Sequence, residues 1–346
     1  MTQRFATPVG ATLPWPASFG RRFIVTIDTE EEFDWSTPGA SDDFDVTAIA
    51  ALPAMHDRLA AFGISPFYMV DYVVAANEGS AAVLRDLLAR DPATAIGAQL
   101  HSWVTPPLGS GARIETFAGN LPREVEAAKL DRLVAMIERA LGRRPCIYRA
   151  GRYGVGPNTF QALAARGFRV DASMRARFDY SREGGPDFTA VSPGAFALSD
   201  DVQGESALVE MPLSTIYTGV LRAQGRWLHS MLGRIPRSRG VFARSRLLSR
   251  VPLTPEGTSA REACRAIGIA AAEGERMLQL TFHSPSLVPG HTPYVRNARE
   301  LARFHAWWDE VLPSLARHGY APASLDDVLS ALDEHAVGPA GLEPAT

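Results

Sequence analysis

A chain of 346 residues, 46% of them hydrophobic and 21% charged, has enough apolar material for a sizeable core, which argues against disorder over most of its length. Its formal net charge of −3, with no long run of either sign, argues against a nucleic-acid groove. No apolar stretch approaches the ~20 residues a membrane span needs, and the first twenty residues lack a signal-peptide core. The two cysteines, Cys146 and Cys264, show no metal spacing and read as buried thiols, so a reducing, cytoplasmic location is expected. Lys129 is the only lysine, read here as a compositional bias without functional content.

Residues 1–20 form an N-terminal extension, after which short apolar runs alternate with longer amphipathic ones. Phe23 to Asp28 is strand-like and Val46 to Phe62 has helical spacing. Ile64 to Val70 is the next strand, Ser80 to Arg90 the next helix, and Ala95 to Leu100 a strand that delivers His101. Pro122 to Leu141 is a strong helix with Gly142 as its stop. Ile147 to Arg149 is a short strand, Pro157 to Arg166 a helix, and Phe168 to Asp171 another strand. From about 175 to 255 the rhythm breaks into a Gly-, Pro-, Ser- and Arg-rich insertion with one apolar run, Ala207 to Leu213, expected to be a lid, a binding surface or disordered. Order returns with a helix over Ser259 to Ala272, a strand over Met277 to Phe282 that delivers His283, a helix over Ala298 to Arg317 and a last one over Ser324 to Leu332. Residues 336–346 form a tail without a core pattern.

This alternation predicts an α/β fold of parallel strands with covering helices over residues 21–335. A barrel and an open doubly wound sheet share the pattern, and in both the functional side chains gather where strands end. Asp28, His101, Arg149, Asp171 and His283 each stand at the C-terminal end of a predicted strand and would converge on one mouth.

Each has a functional and a plainer reading. Asp28 with Glu30, Glu31 and Glu32 is either a base with a metal ligand or a solvated acidic loop; the strand end favours the first for Asp28, and the second suits Glu32. His101 and Trp103 lie in a loop shaped by Pro106 and Pro107. Arg149 can brace a carboxylate bidentately, whereas Arg152, beside Tyr153 in a glycine-rich turn, serves a surface ion pair equally well. Asp171 either orients a histidine or caps the next segment. His283 is the natural general acid, and His291, in a Pro/Gly loop, either touches substrate or is simply exposed.

Taken in order, these segments resemble the polysaccharide deacetylase family (the NodB-homology domain of carbohydrate esterase family 4), and within it the WalW-like branch, over roughly Phe23 to Leu332. The resemblance implies a deformed (β/α) barrel and a divalent metal, most often zinc. Asp28 matches the family's catalytic base, Arg149 its brace, Asp171 the motif-four aspartate and His283 the general acid. The metal aspartate that should follow Asp28 is Thr29, and the second histidine of the His-Ser/Thr-x-x-His motif, which begins at His101, is Thr105. Glu30 with His101 is then the remaining metal set, with Trp103, Arg152, Tyr153 and His291 as substrate contacts.

The function so implied is hydrolysis of a non-peptide C–N bond, N-deacetylation of a carbohydrate or glycoconjugate, with His283 oriented by Asp171. The rival readings are a metal-independent amidase on a non-sugar substrate such as a cyclic ureide, and an inactive carbohydrate-binding protein. Oligomeric state is not legible.

Overall fold

The strand over Arg21–Thr29 (β1) is buried from Phe23 to Thr29, which marks a central strand covered on both faces. In this computed structural model, which describes residues 3–8, 12–37, 44–110, 112–198 and 208–336, eight further strands join it. They are β2 (Phe67–Val70), β3 (Ala95–Leu100), β4 (Ile147–Ala150), β5 (Val170–Asp171), β6 (Phe196–Ala197), β7 (Val209–Glu210), β8 (Met277–His283) and β9 (Tyr320–Pro322). The order is β8-β1-β2-β3-β4-β5-β7-β6, with β9 also against β1; every pairing is parallel except β6 with β7. The free edge of β8 is covered by irregular chain, with Gln279 N donating to Ser214 Oγ (2.9 Å) and Thr281 N to Leu253 O (3.2 Å). The result is a curled α/β sheet, a deformed barrel closed without a full set of ladders.

Side-chain alternation along each strand splits the core in two. Val25, Ile27, Ala98, Leu100, Tyr148 and Leu280 pack outward against the helices, together with Leu52, Leu84, Leu133, Ile267 and Trp308. Ile24, Phe67, Ala95, Ile147, Val170, Val209 and Met277 face inward and are plugged by Leu13, Trp15 and Phe19 and by Val328 of the helix over Leu325–Ala336. The covering helices include Leu52–Ala60, Glu78–Arg90, Arg123–Leu141, Pro157–Ala164, Ala260–Ala272 and Ala298–Arg317. Ser259 and Glu262 make a reciprocal cap at the start of one. Gly142, at φ 64°, ends another in the left-handed conformation that glycine favours.

The stretch from 175 to 255 is folded over its described part. Asp187–Ala190 pairs with Arg4–Ala6 near the N-terminus, and Thr215–Thr218 pairs with Ser249–Pro252 around two short helices, Gly225–Leu232 and Ser238–Arg244. It also supplies β6 and β7 to the main sheet. Cys146 and Cys264 are free thiols and are only half-buried, a correction to the sequence reading. Among the described residues no helix is long and apolar enough to cross a membrane. The expected tail at 336–346 lies, beyond Ala336, outside the described residues.

Candidate active site

Inward-facing residues at the C-terminal ends of β1, β3 and β8 share parity with the plug residues below them: Ile24, Thr26, Asp28 on β1; Ala95, Gln99, His101 leaving β3; Met277, Thr281, His283 on β8. They open into a cavity of about 260 Å³ whose floor holds Asp28, Glu30, Gln99, His101, Thr281 and His283. Its walls carry Phe33, Trp35, Trp103, Tyr153, Tyr180 and Tyr294, with Arg152, Arg175, Glu183 and Glu256 between them.

Arg149, fully buried on β4, is the brace of this floor. Its Nη1 donates to Asp28 Oδ1 and to Thr281 Oγ1 (3.1 Å), Nη2 to Thr26 Oγ1 (3.0 Å) and Nε to Ala172 O (3.0 Å). The other Asp28 oxygen, Oδ2, stands 3.5 Å from His283 Nε2. His283 Nδ1 donates to Glu256 Oε2 (2.7 Å), while Glu256 Oε1 accepts from His283 N (3.1 Å) and Ser286 Oγ (2.6 Å). Burial opposes charge on His283, but Glu256, Glu30 and Asp28 outweigh it and push the imidazole up to about 9.

His101 is built the same way. Its Nδ1 donates to Glu31 Oε2 (2.8 Å), Trp103 stacks on its ring at 4.2 Å and donates from Nε1 to Glu31 Oε1 (2.7 Å), and Nε2 lies 3.4 Å from Glu30 Oε2. Burial again opposes charge, and Glu31 with Glu30 raises His101 well above the ordinary imidazole range. Asp71, at the end of β2, accepts from Glu31 N (2.9 Å) and Val74 N (2.7 Å); burial and Glu31 raise its carboxyl well above the usual range. Gly151 is required here, because a Cβ at that position would overlap the His101 ring.

The floor fits a divalent ion. His101 spends Nδ1 on Glu31, the arrangement that orients a metal-ligating histidine and leaves Nε2 for the ion. Glu30 Oε1 is buried with no hydrogen-bond partner among the described residues, and Glu30 Oε2 stands 3.4 Å from His101 Nε2. Thr29 turns its hydroxyl back to Ile27 O (2.9 Å), and Thr105 Oγ1 is buried without a partner among the described residues; neither lines the cavity. Strand parity explains the first departure: position 29 faces the helices, and position 30 enters the cavity.

Two expectations need correcting. Asp171 does not orient His283. Val170 takes the inward position on β5, so Asp171 points toward the helix layer, where it accepts from Ser173 and lies in register with Glu210 of β7. The orienting carboxylate is Glu256, from the Thr254–Gly257 loop, which no strand-end rule identifies. His291 is not a cavity residue; its Nδ1 pairs with Glu32 Oε2 (3.1 Å). Trp103, Arg152 and Tyr153 do line the cavity. Arg152 and Tyr153 both adopt left-handed backbone (φ 54° and 61°), strain of the kind concentrated at binding sites, and Arg152 is held by Glu183 and by Thr116 Oγ1 (2.5 Å). Asp71, Glu256 and Arg175 are site residues that the sequence reading did not single out, and Glu31 entered it only as part of the acidic run; of the first three, Asp71 alone carried a strand-end signal.

Among solved structures, the chain is similar to a putative polysaccharide deacetylase from Mycobacterium smegmatis, at 18% identity and a TM-score of 0.56, over 99% of this chain and 100% of that one. It is similar to the Puue allantoinase at 13% identity and a TM-score of 0.56, over 98% and 99% of the two chains. A probable polysaccharide deacetylase from Pseudomonas aeruginosa PAO1 matches at 12% identity and a TM-score of 0.51, over 94% and 95%. No protein-family profile and no curated protein matches the chain. The fold is therefore the deformed (β/α) barrel of polysaccharide deacetylase type.

Proposed function

We propose that the chain is a hydrolase that removes an acyl group from the nitrogen of a carbohydrate or glycoconjugate. The observation that carries this reading is two braced groups side by side on one cavity floor: Asp28 on Arg149 and His283 on Glu256, with Oδ2 and Nε2 3.5 Å apart. A base and an acid that both reach the substituents of one acyl carbon are what amide hydrolysis needs. Asp28 Oδ2 takes a proton from water as its oxygen bonds to the acyl carbon. His283 Nε2 then gives a proton to the amine nitrogen as the C–N bond breaks, and Glu256 holds Nδ1 through both steps. A divalent ion on Glu30 and His101, zinc by the character of the donors, would supply polarisation of the carbonyl and of the water. The aromatic walls suit the apolar faces of a sugar ring.

The proposal rests on Asp28, His283, Arg149 and Glu256 as the working set. Asp171 stands behind it as a structural carboxyl, and Trp103, Arg152 and Tyr153 as substrate contacts. A cytoplasmic enzyme of this type would act on a biosynthetic precursor. Asp28→Asn and His283→Ala are each expected to abolish acyl release while the far-ultraviolet circular dichroism stays native; near-native release by either variant removes its assigned role.

A second reading, a metal-independent amidase, is favoured by the threonines at 29 and 105 and by the carboxylates flanking His101, which hold the ring cationic in an ion's place. Purified protein that carries no divalent ion after incubation with excess metal, and whose activity survives chelation, would select it. Absence of any turnover with ligand binding intact would select an inactive carbohydrate-binding protein.

A further inference from the structure

One cation in the cavity lacks a counter-charge among the described residues. Arg175 follows β5, lines the cavity, and rests its guanidinium against the rings of Phe178 (4.0 Å) and Tyr153 (5.4 Å). Its one side-chain hydrogen bond among the described residues runs from Nη1 to Tyr180 Oη at 3.3 Å, and no described carboxylate is in ion-pair range. The carboxylates nearby are committed: Asp28 to Arg149, Glu183 to Arg152, Glu256 to His283, and Glu30 to Gln99 Nε2 (3.0 Å) beside His101. Across the Phe178 ring, at 3.4 Å, lies a second guanidinium, Arg250, whose Nη1 donates to Arg177 O (2.7 Å). Arg250 lies behind the cavity wall and, like Arg175, has no described carboxylate in ion-pair range.

A guanidinium partly withdrawn from water is stabilised by an anion or a full set of acceptors, and Arg149, buried beneath the same floor, has such a set. The aromatic contacts with Phe178 and Tyr153 use none of its N–H groups, which remain free to grip a planar oxyanion through two parallel bonds. Neither Asp28, Glu30 nor His283 is in ion-pair range of it, so it stands apart from the reacting groups.

We propose that Arg175 anchors an anion subsite, and that the substrate carries an oxyanion, a carboxylate or a phosphate, on the same molecule as its acylated nitrogen. This deepens the deacylase reading and rests on it only for the identity of the reacting group.

The test is calorimetric binding to the full chain carrying Asp28→Asn, so that turnover plays no part. The probes are N-acetylglucosamine, N-acetylmuramic acid (the same ring bearing a carboxylate) and N-acetylglucosamine 6-phosphate. At least one anionic probe is expected to bind about tenfold or more tighter than the neutral one. Adding Arg175→Gln should erase the advantage, and Arg175→Lys, which keeps the charge and loses the fork, should retain part of it. A larger gain for the carboxylate assigns the subsite to sugar acids, and for the phosphate to sugar phosphates. Equal binding of all three probes, no binding by any, or an advantage that survives Arg175→Gln in a folded variant, overturns the proposal. Anion preference with no acyl release by the wild type would instead defeat the deacylase reading and leave the subsite standing.

Discussion

The single lysine of the chain ties a helix to the loop at the cavity wall. Lys129 is fully buried on the helix over Arg123–Leu141, and its ammonium donates to Ser102 O (2.8 Å), Thr105 O (2.6 Å) and Pro107 O. Those carbonyls belong to the loop that carries Trp103 onto His101, so the residue read from composition as a bias holds the wall of the cavity. Lys129→Met keeps the stem and removes the donors. Ser102 and Thr105 are 4% and 0% exposed, and each buried carbonyl left without a donor costs about 1–3 kcal/mol. Relief of the buried ammonium returns part of that, since isolating a charge from water costs several kcal/mol. The net loss expected in urea unfolding is about 2–3 kcal/mol, with the 102–107 loop opening first. An amine-reactive ester gives the second readout, because Lys129 should stay unmodified in the native state and react only as fast as this segment opens. A variant within about 0.5 kcal/mol of wild type, or rapid native-state labelling of Lys129, would refute the carbonyl cage.

Glu256→Gln should lower kcat for acyl release about a hundredfold with KM little changed, because a charge-assisted bond to His283 Nδ1 is lost and the ring is free to rotate; Asp171→Asn should cost far less. Gly151→Ala forces the His101 ring aside and is expected to weaken binding of a divalent ion, measured by equilibrium dialysis, more than tenfold, or about 1.4 kcal/mol. The pH dependence of stability should carry the mark of Asp171 and Glu210, whose carboxyls burial raises above their ordinary 3.8 and 4.5. Because the folded state then holds more protons than the unfolded one, this contribution is full at acid pH and falls as pH rises through the folded values. Glu210→Gln should therefore flatten the decline in denaturation midpoints as pH rises above about 4.5, and an unchanged slope would count against a raised Glu210 carboxyl.

Much of this site was legible because the chemistry sits at strand ends. Asp28, His101, Arg149 and His283 each end an apolar run, and the barrel brings those ends together. Parity was the missing refinement. Counting back in twos from Asp28 reaches Ile24, an inward residue, whereas Asp171 lies one step past inward-facing Val170 and belongs to the other face. The same count places Thr29 outside the cavity and admits Glu30. Glu256 and Arg175 were not legible, because they come from loops whose path depends on packing between segments far apart in sequence, and Glu31 was visible only as one of an acidic run. Glu256 lies 27 positions from the ring it orients. The short strands β5, β6 and β7 have two residues each, too few for any periodic signal. The expectation of an irregular stretch between 175 and 255 followed from Gly, Pro and Arg content, which says nothing of the pairing those segments find with Arg4–Ala6 and with β5.

The most direct test of the account is acyl release, followed as free acetate, from a panel of neutral and acidic N-acetylated saccharides with and without added zinc. Wild-type protein should release acetate from at least one member, and protein carrying Asp28→Asn should release none while binding that saccharide as tightly. Wild-type protein that binds a saccharide and leaves every acyl group in place, with metal present, would contradict the hydrolase claim.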